Sequence, residues 1–309
     1  VGSNDAPLRN GLKRTYNNIK HASSQDFPIP LYSQRKVIEN PVWQPTLTQR
    51  YTKESVSWIK QQAEKNEPFF LFLSHTMPHV PIFSSPNFKN RSQAGLYGDV
   101  IEEIDWSVGQ ITTTLEQCGL AENTLVVFTS DNGPWLTYYD LAGTPGPWRD
   151  GKITTWEGGF RVPGIFWWPR TIQPSVVSGI GVNIDLIKTI STITNTNLPE
   201  YRYFDAIDLT PTLLSGEPSP RQQWFFYGQP GNLWAARSEN YKLVLESWES
   251  LGREEERGWR GYDNHKKHNP PLLFDISTDT AERYDIASRK PDVVAQMQSI
   301  IKQHQQSLI

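Results

Sequence analysis

Apolar positions recur along this chain in three rhythms. Between residues 97 and 117, Val100, Ile101, Ile104, Val108, Ile111 and Leu115 fall on one helical face, and Gly119 follows where a helix end favours glycine. Residues 48–64 carry a thinner stripe of Tyr51, Val56 and Ile59, which predicts a second helix. Residues 69–73, 123–128 and 162–168 are instead nearly unbroken apolar runs, the pattern of short strands buried on both faces of a parallel sheet. Past Gly216-Glu217-Pro218-Ser219-Pro220 the rhythm shortens. Residues 224–227, 234–237, 241–246 and 272–275 read as strands of an antiparallel meander, and 291–308 as a closing helix. Residues 183–193 predict a helix and 208–215 a short turn. Residues 1–50 and the charged stretch 251–269 read as loop, the latter flexible.

Helix, short turn, buried strand, polar loop is the order of an open α/β sheet, in which ligands bind beyond the carboxyl ends of the strands. The loops beginning at Ser74 and Ser130 lie at such ends. The change of pattern divides the chain into a domain over 1–215 and a smaller one over 216–309. A length of 309 residues accommodates both. With 37% apolar and 20% charged residues the composition is that of a folded protein. A net charge of −3 without a basic stripe argues against nucleic acid, and no apolar run is long enough to span a bilayer. The single cysteine, Cys118, rules out an internal disulfide and a cysteine-based metal site. The opening residues show no signal peptide, and Val1 reads as a start inside a longer protein.

Three places carry candidate chemistry. Asp131 and Asn132 end an apolar strand and offer hard oxygens suited to a cation such as Ca²⁺, although Asn-Gly is also an ordinary turn pair. Lys152 sits on a glycine-rich loop, a point charge for an anion or simply a solvated side chain. His79 lies on a proline-braced loop, and an imidazole of ordinary pKa about 6.5 suits proton donation to a leaving oxygen. Glu157 and Arg161 are spaced to pair and fix the lysine loop. Trp135, Trp148 and Trp156 could line a sugar cleft or pack the loops. Arg149 could meet a substrate carboxylate or brace the loop.

These residues fall in blocks that resemble the type I sulfatases, on the arylsulfatase A and N-acetylgalactosamine-6-sulfatase side of the family. The blocks are Pro78-His79-Val80-Pro81, Thr129-Ser130-Asp131-Asn132-Gly133, Gly151-Lys152 with Thr154-Thr155-Trp156-Glu157-Gly158-Gly159, and Arg161-Val162-Pro163. The stretch Leu273-Phe274-Asp275-Ile276 with Asp279, Glu282, Tyr284-Asp285 and Ile286 resembles the family's C-terminal signature. The resemblance implies an alkaline-phosphatase-like three-layer α/β sandwich with a smaller C-terminal subdomain of antiparallel sheet plus helix. It implies hydrolysis of a sulfate ester of a sugar or aryl alcohol by a formylglycine nucleophile and Ca²⁺, with Mg²⁺ as an alternative. Asp131 and Asn132 would then be metal ligands, Lys152 a sulfate contact and His79 the proton donor. The compartment it implies is periplasmic, secreted or lysosomal.

The departures from the family pattern are equally informative. The formylglycine motif (Cys or Ser, any residue, Pro or Ala, any residue, Arg) is absent, and neither Cys118 nor Ser219 fits it. No Asp-Asp pair occurs to supply the family's other acidic ligands. The expectation is that an N-terminal portion lies outside these residues and that the chain alone does not turn over. The competing readings are a phosphatase or phosphodiesterase of the same superfamily, or a non-catalytic relative that binds sulfated glycans.

Overall fold

The structure, a computed structural model, describes residues 15–65, 67–228, 231–250 and 265–308. In chain order its elements are α1 (Tyr16–His21), β1 (Leu31–Ser33), β2 (Lys36–Glu39), α2 (Leu47–Lys65), α3 (Gly95–Gln117), β3 (Val126–Thr129), α4 (Glu157–Phe160), β4 (Gly164–Trp167), α5 (Asp185–Ile193), α6 (Thr210–Ser215), β5 (Gln223–Tyr227), β6 (Leu233–Ser238), β7 (Tyr241–Ser247), β8 (Lys266–Asp275) and α7 (Pro291–Ser307). They fall into two compact units. One takes the described residues up to Thr124 together with Trp135–Thr144. The other takes Leu125–Pro134 and the described residues from Pro145 onward.

In the first unit α2 packs on α3. The expected stripe of α3 is buried at Val100, Ile104, Ile111 and Leu115, while Ile101 turns outward. The interface also holds a buried hydroxyl pair, Thr52 Oγ1 and Ser107 Oγ, at 2.6 Å. Two buried acids on α3 hold the preceding loop. Asp99 accepts from the backbone N–H groups of Asn90, Arg91 and Ser92, and Glu103 accepts from that of Ser85. At the other end Gly119 takes φ +69°. The N–H groups of Gly119 and Leu120 return to the carbonyls of Glu116 and Leu115, so orphan helix carbonyls are satisfied as the glycine predicts.

The apolar run 69–73 is not a strand in this structure. Its backbone pairs with no other segment among the described residues, and a strand requires a neighbour for its N–H and C=O groups. Alternate side chains are consequently open to solvent, Phe70 at 72% and Phe72 at 78%. Residues 1–50, expected to be loop, contain α1 and the hairpin β1–β2 within their described part. Residues 1–14 lie outside the described residues.

In the second unit the strands at 123–128 and 162–168 form as β3 and β4 but pair antiparallel, from Val126 opposite Trp167 to Thr129 opposite Gly164. The parallel arrangement inferred from their apolar runs is therefore corrected for this pair. Neither strand is buried on both faces as expected, and Ile165 is 57% exposed, so continuous apolarity settles neither burial nor strand direction here. The meander forms as expected, a four-stranded antiparallel sheet in the order β5-β6-β7-β8. Alternation along the strands gives it two apolar faces. Ala236, Leu243 and Leu273 pack with Met297 and Ile301 of α7. Ala235, Val244 and Phe274 pack with Trp156 of the glycine-rich loop. The chain is thus mixed α/β, closed by an antiparallel sheet with one helix on it. Two local readings change. Residues 210–215 are helical as α6, with Pro211 in its first turn and Gly216 left-handed at its end. Residues 266–269, expected to be flexible, begin β8, while 251–264 lie outside the described residues.

Candidate functional site

Within the second unit the Asp131-Asn132 loop and the lysine loop are laced backbone to backbone. Gly133 N–H donates to the Gly159 carbonyl at 3.0 Å, and Lys152 N–H donates to the Pro134 carbonyl at 2.8 Å. Gly133 must be glycine, because a Cβ there would lie 1.8 Å from the Gly158 carbonyl oxygen. Gly158 is packed as tightly, its would-be Cβ 2.1 Å from the Asp150 carbonyl. These glycines therefore let the chain pack on itself.

Lys152 occupies a tight turn from Gly151 to Thr154. Both the N–H and the hydroxyl of Thr154 return to the Gly151 carbonyl. Ile153 takes φ +70° at the position where such a turn favours glycine. A β-branched residue there costs on the order of 1–3 kcal/mol, and it persists only where the surroundings over-determine it. Asp150, before the turn, is also left-handed at φ +57°. Its buried carboxylate accepts from the N–H groups of Gly151 and Ser250 and from the Ser250 hydroxyl.

Behind the turn lies a buried charge network that sequence reading only half reveals. Glu157 pairs with Arg161 at 2.7 Å, as their spacing suggests, but also with Arg237 at 3.0 Å and Lys242 at 3.1 Å. The Lys242 side chain, on β7, has no exposed surface. It donates to the Thr155 carbonyl at 2.8 Å and meets Glu282 at 2.9 Å. Glu282 accepts in turn from the Glu157 N–H. Burial pushes the Glu157 carboxyl upward, but the charges of Lys242, Arg161 and Arg237 outweigh it and hold the group down at about 2. Burial and the neighbouring Glu157 push Glu282 above the carboxylate range, against the pull of Lys242. Apart from Arg161, the groups that meet Glu157 in this network lie 80 residues or more from it in sequence, so no local motif announces them.

Arg149 is committed to bracing. It stacks over Trp156 at 3.6 Å and bonds the Glu282 carbonyl and the Glu249 carboxylate. Trp156 is 1% exposed, so it packs the core and lines no cleft. Trp148 lies under Arg161 at 4.3 Å. Asn183 braces the strand end from the other side, donating to the Ser130 carbonyl and accepting from the Thr129 hydroxyl.

His79 belongs to the first unit. Its Nδ1 lies 2.7 Å from the Val80 carbonyl oxygen and so carries the proton there. Its ring meets Trp135 edge-on at 6.0 Å, and Trp135 meets Tyr138 at 4.8 Å. The proline bonds on either side, Met77–Pro78 and Val80–Pro81, are cis. His75, nearer the apolar run, is depressed by burial and lies near the Ser107 hydroxyl.

The donors at Asp131 and Asn132 suit a hard cation. The Asp131 carboxylate is exposed, and its one bond among the described residues is a 3.5 Å contact from the Ser130 hydroxyl. Asn132 donates from Nδ2 to the Gly133 carbonyl at 3.2 Å, and Oδ1 is its acceptor atom. Two oxygens are fewer than the six to eight that Ca²⁺ takes. Among the described residues no cluster of three or more His, Cys, Asp or Glu is placed to hold a metal.

Comparison with known proteins bears on this arrangement. Residues 9–196 match the family model described as Sulfatase, and residues 219–309 match the C-terminal region of aryl-sulfatase. Arylsulfatase A of Homo sapiens is 34% identical over 283 residues, covering 88% of this chain and 56% of its own length. N-acetylgalactosamine-6-sulfatase of Mus musculus is 34% identical over 306 residues, covering 91% of this chain and 58% of its own. The crystal structure of the PsFucS1 sulfatase from Pseudoalteromonas sp. superposes with a TM-score of 0.77 at 30% identity, over 84% of this chain and 52% of that one. The chain therefore spans about half the length of the curated relatives it matches.

Proposed function

The chain belongs to the sulfatase family and has its alkaline-phosphatase-like α/β fold, and from that premise we propose that it carries part of the active site of a sulfate-ester hydrolase. The supporting observation is the lacing of the Asp131-Asn132 loop to the Lys152 turn, which holds two hard oxygen ligands and a cation in one unit. Asp131 and Asn132 are two of the ligands of a divalent cation, Ca²⁺ before Mg²⁺. When bound, that cation polarises the sulfate oxygens. Lys152 supplies a fixed positive charge to the sulfate group. His79, with Nδ1 held by the Val80 carbonyl, passes a proton from Nε2 to the departing alcohol.

The nucleophile is a formylglycine, and like the remaining acidic ligands it comes from outside these 309 residues, since neither motif occurs within them. The substrate class is a sulfated sugar, a reading supported by N-acetylgalactosamine-6-sulfatase among the relatives. The compartment is periplasmic, secreted or lysosomal. Among the described residues no helix is long and apolar enough to cross a membrane.

The test is turnover of matched sulfate and phosphate esters of one sugar by the protein expressed from its complete gene. We expect the sulfate ester to be cleaved faster, with activity lost to a chelator and restored by Ca²⁺. Faster phosphate release would favour the phosphatase reading. Tight binding without turnover would favour a glycan-binding relative.

A further inference from the structure

A second feature concerns what holds the Lys152 turn in its strained shape. The two feet of that turn are gripped by one strand and its continuation. On the upstream foot, the Asp150 carboxylate is bound by the N–H and hydroxyl of Ser250, three residues past the end of β7. On the downstream foot, the Thr155 carbonyl is bound by Lys242 Nζ, one residue into β7. Both gripping side chains are fully buried, as is Glu282, and neither Ser250 nor Lys242 belongs to the motifs around Asp131, His79 or Lys152. We propose that β7 is the positioning strand for Lys152, with Lys242 and Ser250 as its positioning residues.

The physical reason lies in the backbone. Ile153 at φ +70° would relax if either foot moved, because nothing in an isoleucine favours that conformation. Relaxation would shift Lys152, which sits on the turn beside Ile153 and whose N–H holds the loop of Asp131 and Asn132 at the Pro134 carbonyl. A shift of about 1 Å in a charged contact is enough to cost on the order of 10²-fold in rate. The glycine-rich loop thus depends on a strand that comes more than 80 residues later, and the C-terminal sheet acts on the chemistry through this clamp. The inference rests on the proposed role of Lys152, and its test is built to separate the two.

The experiment is a pair of double-mutant cycles against Lys152→Ala, read as kcat/KM on a sulfate ester by the protein expressed from its complete gene. Ser250→Ala is the mild variant, since Asp150 keeps both its amide donors. Lys242→Met with Glu282→Gln is the stronger one, removing opposite charges together. Each should lower kcat/KM by at least about tenfold when Lys152 is present. In the Lys152→Ala background each should change it by less than about threefold, because a displaced turn no longer carries the charge. Thermal stability of each pair should shift equally in both backgrounds. An equal fall in kcat/KM in both backgrounds would overturn the proposal, leaving β7 a merely structural support. So would a Ser250→Ala protein with unchanged kinetics. If Lys152→Ala itself retains full activity, the proposed role of Lys152 fails, and the clamp fails with it.

Discussion

Two kinds of residue build the candidate site, and they were legible in the sequence to different degrees. Asp131, Asn132 and Lys152 stand out because their chemistry and spacing are local. The structure adds that their loops are joined through the backbone of Gly133 and Lys152. Gly133→Ala tests that close approach. The added carbon has no room against the Gly158 carbonyl, so we expect a loss of at least about 1–3 kcal/mol in urea unfolding. Asp131→Ala is expected to leave folding intact, because the side chain is exposed. It should raise the Ca²⁺ concentration for half-maximal activity by more than the 10–100-fold typical of losing an outer-shell partner. A calcium titration of activity reads this directly. Lys242 and Ser250 carry no such local signal. A buried lysine in a strand looks like any other strand position until its acidic partners, far along the chain, are known.

Among the elements, those whose apolar pattern is satisfied locally were read well. Helix α3, the meander and α7 each display the periodicity that buries them. The run at 69–73 was misread as a strand because its composition reports burial that the described residues do not provide. The charge network under the lysine loop makes a sharper prediction. Glu157 is held at about 2 against an ordinary value of 4.5, so its contribution to stability is present above pH 4.5 and is lost as the pH falls toward 2. Glu157→Gln should therefore cost on the order of 3–5 kcal/mol at pH 7, leaving three cations without their common partner. The gap to the native protein should close in thermal unfolding near pH 2. Glu282 has the opposite sign. Its raised pKa gives a contribution present at low pH and lost as the pH rises, so Glu282→Gln should be tolerated far better than Glu157→Gln at pH 7.

At the scale of the whole molecule, the chain belongs to the sulfatase family, and the proposal is that Asp131, Asn132 and Lys152 supply metal oxygens and a sulfate contact, with a nucleophile whose motif these 309 residues do not contain. The family was legible from short motifs, because local spacing encodes the loops. The clamp on those loops was not, because it depends on how β7 packs. The most direct test of the central claim is release of inorganic sulfate from a sulfated sugar by three proteins side by side: the product of the complete gene, its Lys152→Ala variant, and this 309-residue chain. We predict turnover by the first, a fall of about 10²–10³-fold in the second, in line with loss of one preorganised electrostatic contact, and only background release from the third. A Lys152→Ala protein at the native rate, or turnover by the 309-residue chain alone, would contradict the account.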